Sequence, residues 1–126
     1  MKVPESGDPY NEIIVSGVQD FELKGDQAAV PLTFDPTAAF IVRTLLEQTE
    51  GFSKDLVVQT PDFREICGEA YLAGGRFAHA MSNLRFTLTA LRSTLIEVSK
   101  DGPSNIYRRN PSYTVTDAFG LLRKTE

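Results

Sequence analysis

The stretch that decides the fold runs from Thr60 to Gly102 and reads TPDFREICGEAYLAGGRFAHAMSNLRFTLTALRSTLIEVSKDG. Apolar or small residues recur at alternating intervals of four and three, at Phe63, Cys67, Ala70, Gly74, Phe77, Met81, Leu84, Leu88, Leu91, Leu95 and Val98. This spacing is typical of the seam along which a long helix packs against other helices. A Thr-Pro-Asp start at Thr60 and a Gly-Pro stop at Gly102 bound it. We therefore predict one long helix over residues 61–100.

A helix of this length would outreach its own domain. It would be about 58 Å long at about 1.5 Å per residue, whereas a compact domain of this size is roughly 36 Å across. We therefore expect other copies of the chain to cover the Phe63–Val98 seam, which predicts a homo-oligomer. Gly74-Gly75 is the candidate break, after which two helices would fold back on each other, but the 4-3 phase continues through the pair. A second alternative is that the seam only covers the protein's own sheet and first helix.

The rest of the chain predicts a small sheet, a medium helix and a tail. The predicted segments are a flexible arm over 1–10, strands over 11–34, a helix over 36–50, a strand over 56–59 and a tail ending in a short helix over 103–126. Alternating apolar residues on both sides of Gly25 indicate a hairpin, and Pro31 puts its second strand at a sheet edge or a bulge. Asp35-Pro36 is typical of a helix start. The predicted fold class is a single α+β domain over 11–126, with a short N-terminal antiparallel sheet.

Composition excludes several classes of protein. With 126 residues, 41% of them hydrophobic and 24% charged, the chain fits one globular domain. A single cysteine excludes an internal disulfide framework and fits a reducing compartment. The first twelve residues lack the apolar segment of a signal peptide, and no run approaches the roughly 18 apolar residues of a membrane span. We expect a cytoplasmic protein of a bacterium or phage that does not enter the membrane.

Catalytic chemistry has little support in the sequence. The only histidine, His79, is twelve residues from the only cysteine, Cys67. On one straight helix the two would be about 18 Å apart, too far to form a catalytic pair or share a metal ion. No nucleophile, metal or phosphate-loop motif is present. We expect no enzyme, no cofactor and no metal; a site shared between subunits, with His79 of one and an acid of another, is the alternative.

Charge is distributed unevenly along the chain. Residues 1–62 hold 11 acids and 4 bases, whereas residues 63–126 hold 6 acids and 9 bases. No acid occurs between Glu69 and Glu97, although that span carries three arginines. An acid-free span with arginines suits an anionic partner. The alternative is that these arginines pair with the acidic N-terminal half, within a subunit or across an interface.

The candidate binding residues lie on the long helix and in the tail. Arg76, His79, Asn83 and Phe86 are spaced 3-4-3 and should line one helix face, Arg85 and Arg92 flank the seam, and Tyr107, Arg108 and Arg109, with Tyr113, lie in the tail. Cations and aromatic rings together suit nucleic-acid backbones and bases. The alternative for the helix stripe is a solvated flank whose Phe86 packs on the protein's own core.

Two functions follow as expectations. The first is a non-enzymatic homo-oligomeric protein that binds nucleic acid or another phosphorylated ligand through the arginine-rich helix flank. The alternative is a structural or protein-interaction module, in which the heptad helix builds an oligomer with no ligand.

Overall fold

The computed structural model describes residues 8–26 and 28–122, which form an α+β fold with two sheets. In chain order the elements are β1 (Tyr10–Val15), β2 (Asp20–Gly25), β3 (Val30–Thr33), α1 (Pro36–Glu47), β4 (Phe52–Ser53), α2 (Lys54–Val58), α3 (Pro61–Cys67), a 3-10 turn (Ala70–Leu72), α4 (Ala73–Ala90), β5 (Ile96–Asp101), β6 (Ser104–Arg109) and β7 (Thr114–Asp117). The predicted α+β class is therefore correct only in its broadest sense. The predicted arrangement, a short N-terminal sheet beside one long helix, is wrong.

Helix α1 is the centre of the core. Nine of its twelve residues are buried, so it packs on nearly every side instead of along one stripe. Its start follows the prediction: Pro36 is the first helical residue, and the Asp35 carboxylate accepts a hydrogen bond from the Ala38 N–H at 3.2 Å. The helix ends at Glu47, before the predicted end at 50.

The first sheet joins the two ends of the chain. Its order is β3-β2-β1-β7; β1 and β2, and β2 and β3, pair antiparallel, whereas β7 pairs parallel with β1. Ile13 and Val15 of β1 face the core beside Leu23 and Phe21 of β2, and all four are buried. Pro31 lies on the edge strand β3, as predicted. The parallel partner β7 was not predicted, because strands about a hundred residues apart leave no local signal of their pairing.

The second sheet replaces the end of the predicted long helix and the start of the predicted tail, whereas β7 of the first sheet lies further along that tail. Its order is β4-β6-β5, and β5 and β6 form an antiparallel hairpin that turns at Gly102-Pro103. Gly102 has the positive φ of 63° that a tight hairpin turn needs. The Gly-Pro signal is therefore a hairpin turn and not a helix stop. The predicted strand over 56–59 is also wrong, since its first three residues belong to α2.

The predicted helix over 61–100 ends twice, and neither end is at Gly74-Gly75. Gly68 caps α3 with a φ of 89°, and its N–H donates to the carbonyl of Arg64. Arg92, with a φ of 64°, ends α4: its N–H donates to the Thr89 carbonyl and the Ser93 N–H to the Leu88 carbonyl. These two bonds form a Schellman motif, whose left-handed position usually holds glycine. Gly74 and Gly75 lie inside the first turn of α4.

The apolar seam is buried within the chain's own fold. Phe63 and Cys67 of α3, Phe77, Met81, Leu84 and Leu88 of α4 and Leu95 after it all belong to the core. Phe63 and Phe77 meet edge to face, with ring centroids 6.5 Å apart. These side chains pack against the protein's own helices and hairpin, whereas the homo-oligomer itself stays a prediction.

The predicted flexible arm includes a structural anchor. Residues 1–7 lie outside the described residues, but Asp8 is hydrogen-bonded to distant parts of the chain. Its carboxylate accepts from the N–H and Oγ1 of Thr94, at 2.8 and 2.7 Å, from the hydroxyl of Tyr113 at 2.6 Å, and from the N–H of Tyr10 at 2.8 Å. Burial acts to raise the pKa of Asp8, but these hydrogen bonds outweigh it and hold the pKa below 3.8. The start of β1 is thereby tied to the segment between α4 and β5.

Candidate nucleic-acid interface

Helix α4 is held on one side and exposed on the other. Its inner side is buried against α1 and α3 through Phe77, Ala80, Leu84 and Leu88. The side chains that turn away from the core bear no negative charge, since α4 contains no Asp or Glu. The exposed side is therefore a neutral-to-positive surface along an 18-residue helix.

Four of the candidate residues line the outer face of α4. Arg76, His79, Asn83 and Phe86 are all exposed, and Phe86 keeps 77% of its surface in contact with solvent. The Asn83 amide donates to Nε2 of His79 at 3.2 Å, so the two polar groups stand side by side. We call these four residues the outer stripe. They present a cation, an imidazole, an amide and an aromatic ring in one row.

Arg76 also lies beside the end of α3. Burial raises the pKa of the Cys67 thiol, and the positive charge of Arg76 partly opposes that effect. The guanidinium is thus near the point where α3 ends, and Cys67 is a buried free thiol. The outer stripe therefore begins where the two helices meet.

Arg85 points to a different side of α4. It lines a cleft of about 410 Å³ between α4 and β6, together with Met81, Asn105 and Tyr107. Arg92 lies beyond the helix, in the left-handed residue of the Schellman motif, and is exposed. The three arginines of the acid-free span thus face three parts of the surface around one helix.

The aromatic residues of the predicted tail lie in the core. Tyr107 is 8% exposed, and its ring centroid is 5.9 Å from those of both Phe52 and Phe77. Tyr113 is 2% exposed, and its hydroxyl is shared between Asp8 and Ser93. Burial and the bond to Asp8 raise the pKa of Tyr113. Neither ring is free to stack on a ligand at the surface.

The two tail arginines lie on opposite faces of β6. Because Tyr107 faces α4, its neighbour Arg108 faces away, and it forms an ion pair with Glu97 on β5 at 2.6 Å. Arg109 is on the same face as Tyr107 and is partly buried. The structure therefore separates Arg108 from the outer stripe and gives it an acidic partner.

Sequence reasoning missed three polar residues near α4. Lys54 begins α2 and lines the cleft that Arg85 lines. Lys100 and Asn105 are register partners on the hairpin and lie on its α4-facing side with Tyr107. The alternation IEVSKD and SNIYRR around Gly102-Pro103 was the signal for this hairpin, and the 4-3 seam obscured it.

Among residues 8–26 and 28–122, Arg108 and Glu97 form an ion pair at 2.6 Å. Across the same residues, no three His, Cys, Asp or Glu side chains gather closely enough for a metal ion. No described helix combines the length and apolar character needed to cross a membrane. No known protein family, curated protein or solved structure matches this chain.

Proposed function

We propose that this protein binds duplex DNA, with α3 and α4 as a helix-turn-helix and the β5–β6 hairpin as a wing. The order α1, β4, α3, α4, β5, β6, with the strands arranged β4-β6-β5, resembles that of winged helix-turn-helix domains, apart from the additional short helix α2 between β4 and α3. Likeness of topology alone does not establish function. The observation that carries the proposal is the exposed, acid-free face of α4, the helix that follows the turn and precedes the hairpin.

The outer stripe has the chemistry for reading base edges. A major groove about 12 Å wide admits a helix, and arginine pairs with guanine and asparagine with adenine in bidentate fashion. Arg76 and Asn83 are exposed on one face of α4, with His79 between them. Gly75 and Ala78, beside the stripe, have no side chain or only a methyl group, so they do not project from the helix. The space at Gly75 is open, since a Cβ there would meet nothing within 4 Å. Small residues beside the stripe let the helix approach the bases closely.

The hairpin supplies the second contact surface. Lys100 and Asn105 are exposed on its α4-facing side, close to the tight turn. A lysine and an amide there can bind phosphate oxygens beside the groove that α4 enters. The contacts would fix the orientation of α4, whereas the outer stripe would read sequence. The proposal involves no chemical reaction and has its setting in the cytoplasm.

Fluorescence anisotropy on a labelled duplex of about 30 base pairs, three helical turns, tests the proposal. We expect binding at about 50 mM salt that weakens steeply by about 200 mM. Arg76→Gln should lower the affinity about tenfold by removing one base contact. Lys24→Gln removes the same charge from the exposed outer side of the first sheet and should change little. Absence of binding at about 50 mM salt, or an equal loss in both variants, would refute the proposal.

The second candidate, a protein-assembly module, has one observation in its favour. β5 is a six-residue edge strand paired only with β6 within the described part of the chain. Because a two-residue turn joins Asp101 to Ser104, hydrogen-bonded pairs alternate from there, and the N–H and carbonyl groups of Val98 point away from β6. An open edge of this kind can pair with a second copy. Val98→Pro should then lower the oligomer mass in light scattering while leaving a monomeric DNA-binding protein unchanged.

A further inference from the structure

The cleft between α4 and β6 has the features of a ligand groove in its own right. It measures about 410 Å³, within the range of small-molecule sites. Phe77, Met81 and Tyr107 give it an apolar and aromatic lining, and Lys54, Arg85 and Asn105 supply polar groups. It lies on a different side of α4 from the outer stripe, so the base contacts proposed for that stripe do not account for it.

The two cations stand at opposite ends of this groove. A Cβ built on Gly74 would lie 3.8 Å from Cε and 3.9 Å from Nζ of Lys54, so the lysine rests against the first turn of α4. Arg85 is eleven residues further along, about 16 Å at about 1.5 Å per residue. Its side chain leans back towards the N-terminus and shortens that separation to roughly 10 Å or more. One phosphate group is too small to reach both.

Neither cation has an acidic partner within the described residues. Asp55 follows Lys54 directly, yet no carboxylate among residues 8–26 and 28–122 lies within 4.0 Å of Lys54 or Arg85. Two unpaired cations above an apolar lining would stabilise a ligand that carries separated negative charges and a less polar part between them.

We infer that this groove binds a short run of a single phosphodiester strand, with Lys54 and Arg85 on phosphates and a sugar against the small exposed parts of Met81 and Tyr107. At one phosphate per 3.4 Å of axis for a strand stacked as in a duplex, and fewer for an extended strand, a span of roughly 10–16 Å corresponds to at most about three to five phosphates. Asn105 is placed to donate a hydrogen bond to an oxygen between them. The inference rests on the proposed function, since a duplex docked on α4 would supply such a strand beside the hairpin.

Methionine methyl NMR tests the groove separately from duplex binding. The chain has only two methionines, Met1 and Met81, so the Met81 methyl is a single reporter inside the groove. A 5′-phosphorylated oligothymidylate of about five nucleotides should move that signal with a Kd below about 1 mM. AMP, which carries a single phosphate, should leave it in place at the same concentration. Lys54→Gln or Arg85→Gln should weaken binding of the oligothymidylate about tenfold.

Two further variants distinguish the groove from the outer stripe. Gly74→Leu keeps both charges but displaces Lys54. It should weaken binding of the oligothymidylate as much as Lys54→Gln does. Arg76→Gln should weaken duplex binding but leave the response of the Met81 signal to the oligothymidylate unchanged. The inference would be overturned if no oligothymidylate moved the Met81 signal at about 1 mM, or if the signal moved as readily in Lys54→Gln and Arg85→Gln as in the wild type. If the oligothymidylate moved the Met81 signal but the protein bound no duplex, the proposed function would be refuted and single-strand binding in the groove would not.

Discussion

Replacing Asp8 by alanine should destabilise the whole domain, although the residue lies only eight positions from the start of the chain. Its carboxylate accepts four hydrogen bonds, two of them from Thr94 and one from the buried hydroxyl of Tyr113. Removing it leaves these donors without their acceptor at the junction of β1, β5 and the loop before β7. The network holds elements that are far apart in sequence, so its loss acts on the global transition.

The expected cost follows from the donors left behind. A hydrogen bond to a charged group contributes about 1.5–3 kcal/mol, and a buried donor left unpaired costs about 1–3 kcal/mol. Asp8 is only partly buried, so water can replace it for some donors, and the total is reduced to about 3 kcal/mol. For a domain of this size that corresponds to a fall in Tm of roughly 10–15 °C. Asp8→Asn retains one acceptor oxygen and should lose about half as much.

The pH dependence supplies a second signature. The folded pKa of Asp8 lies below its unfolded value near 3.8, so its stabilisation is complete well above that value. It is lost as the pH falls through the lowered folded pKa. Asp117, whose pKa is also held low by the N–H groups of Leu122 and Leu121, titrates in the same window in both proteins. The difference between wild type and Asp8→Ala therefore isolates Asp8.

Guanidinium unfolding at pH 7 and pH 2.5 measures both effects. We expect a difference of about 3 kcal/mol at pH 7 that is smaller at pH 2.5, because the contribution of Asp8 declines once the pH falls below its unfolded pKa. Asp26→Ala is the matched control, because Asp26 and Asp8 line one cleft together with Thr94 and Tyr113, but Asp26 is exposed. A difference below about 0.5 kcal/mol at pH 7, equal to an ordinary surface substitution, would show that the network does not hold the domain together.

Three further substitutions test how α3 and α4 end and begin. Arg92→Gly should raise the free energy of unfolding by about 0.5–1 kcal/mol, since glycine accepts a φ of 64° without the steric cost that arginine incurs; a lower Tm would contradict this. Gly68→Ala should cost about 1–2 kcal/mol in chemical denaturation because its φ is 89°, and an unchanged midpoint would refute it. Gly75→Glu should stabilise α4 by about 1 kcal/mol, because glutamate has a higher helix propensity than glycine and its charge interacts favourably with the helix dipole. The same substitution should weaken duplex binding measured by anisotropy, and Gly75→Gln should weaken that binding less.

Local signals in the sequence predicted the local parts of the fold. The start of α1 at Pro36 and the edge position of Pro31 follow from chemistry within a few residues. The long helix failed because the 4-3 pattern combines three separate pieces, α3, α4 and the start of β5, whose apolar positions continue the phase by coincidence. A periodic pattern shows which side chains are buried but not where the chain turns. Arg92 gave no warning of a helix end, because that position is usually glycine.

The candidate site likewise has a part that local sequence patterns predicted and a part that depends on long-range packing. The outer stripe depends only on helical spacing within α4, so Arg76, His79 and Asn83 lie together on one exposed face although the helix is shorter than predicted. Tyr107 and Tyr113 were assigned to a surface tail because the hairpin was not recognised, and strand alternation turns Tyr107 inward. Lys54 was missed since its position beside Gly74 depends on the packing of α2 against α4, which no local pattern reports.

Both ends of α4 are less stable than the sequence could have made them, and this favours a binding role for the helix. The residue at its N-cap is Leu72, which offers no side-chain acceptor, and the first turn has no acid. A cap and an acidic residue there would contribute about 1 kcal/mol and up to about 1 kcal/mol respectively. At the other end Arg92 occupies a left-handed position at a cost of about 1 kcal/mol. A helix with only a structural role would gain by acids at its start and glycine at its end. Arg76 in its second turn and Arg92 after its end place cations near both ends of the exposed helix, which suits a phosphate backbone.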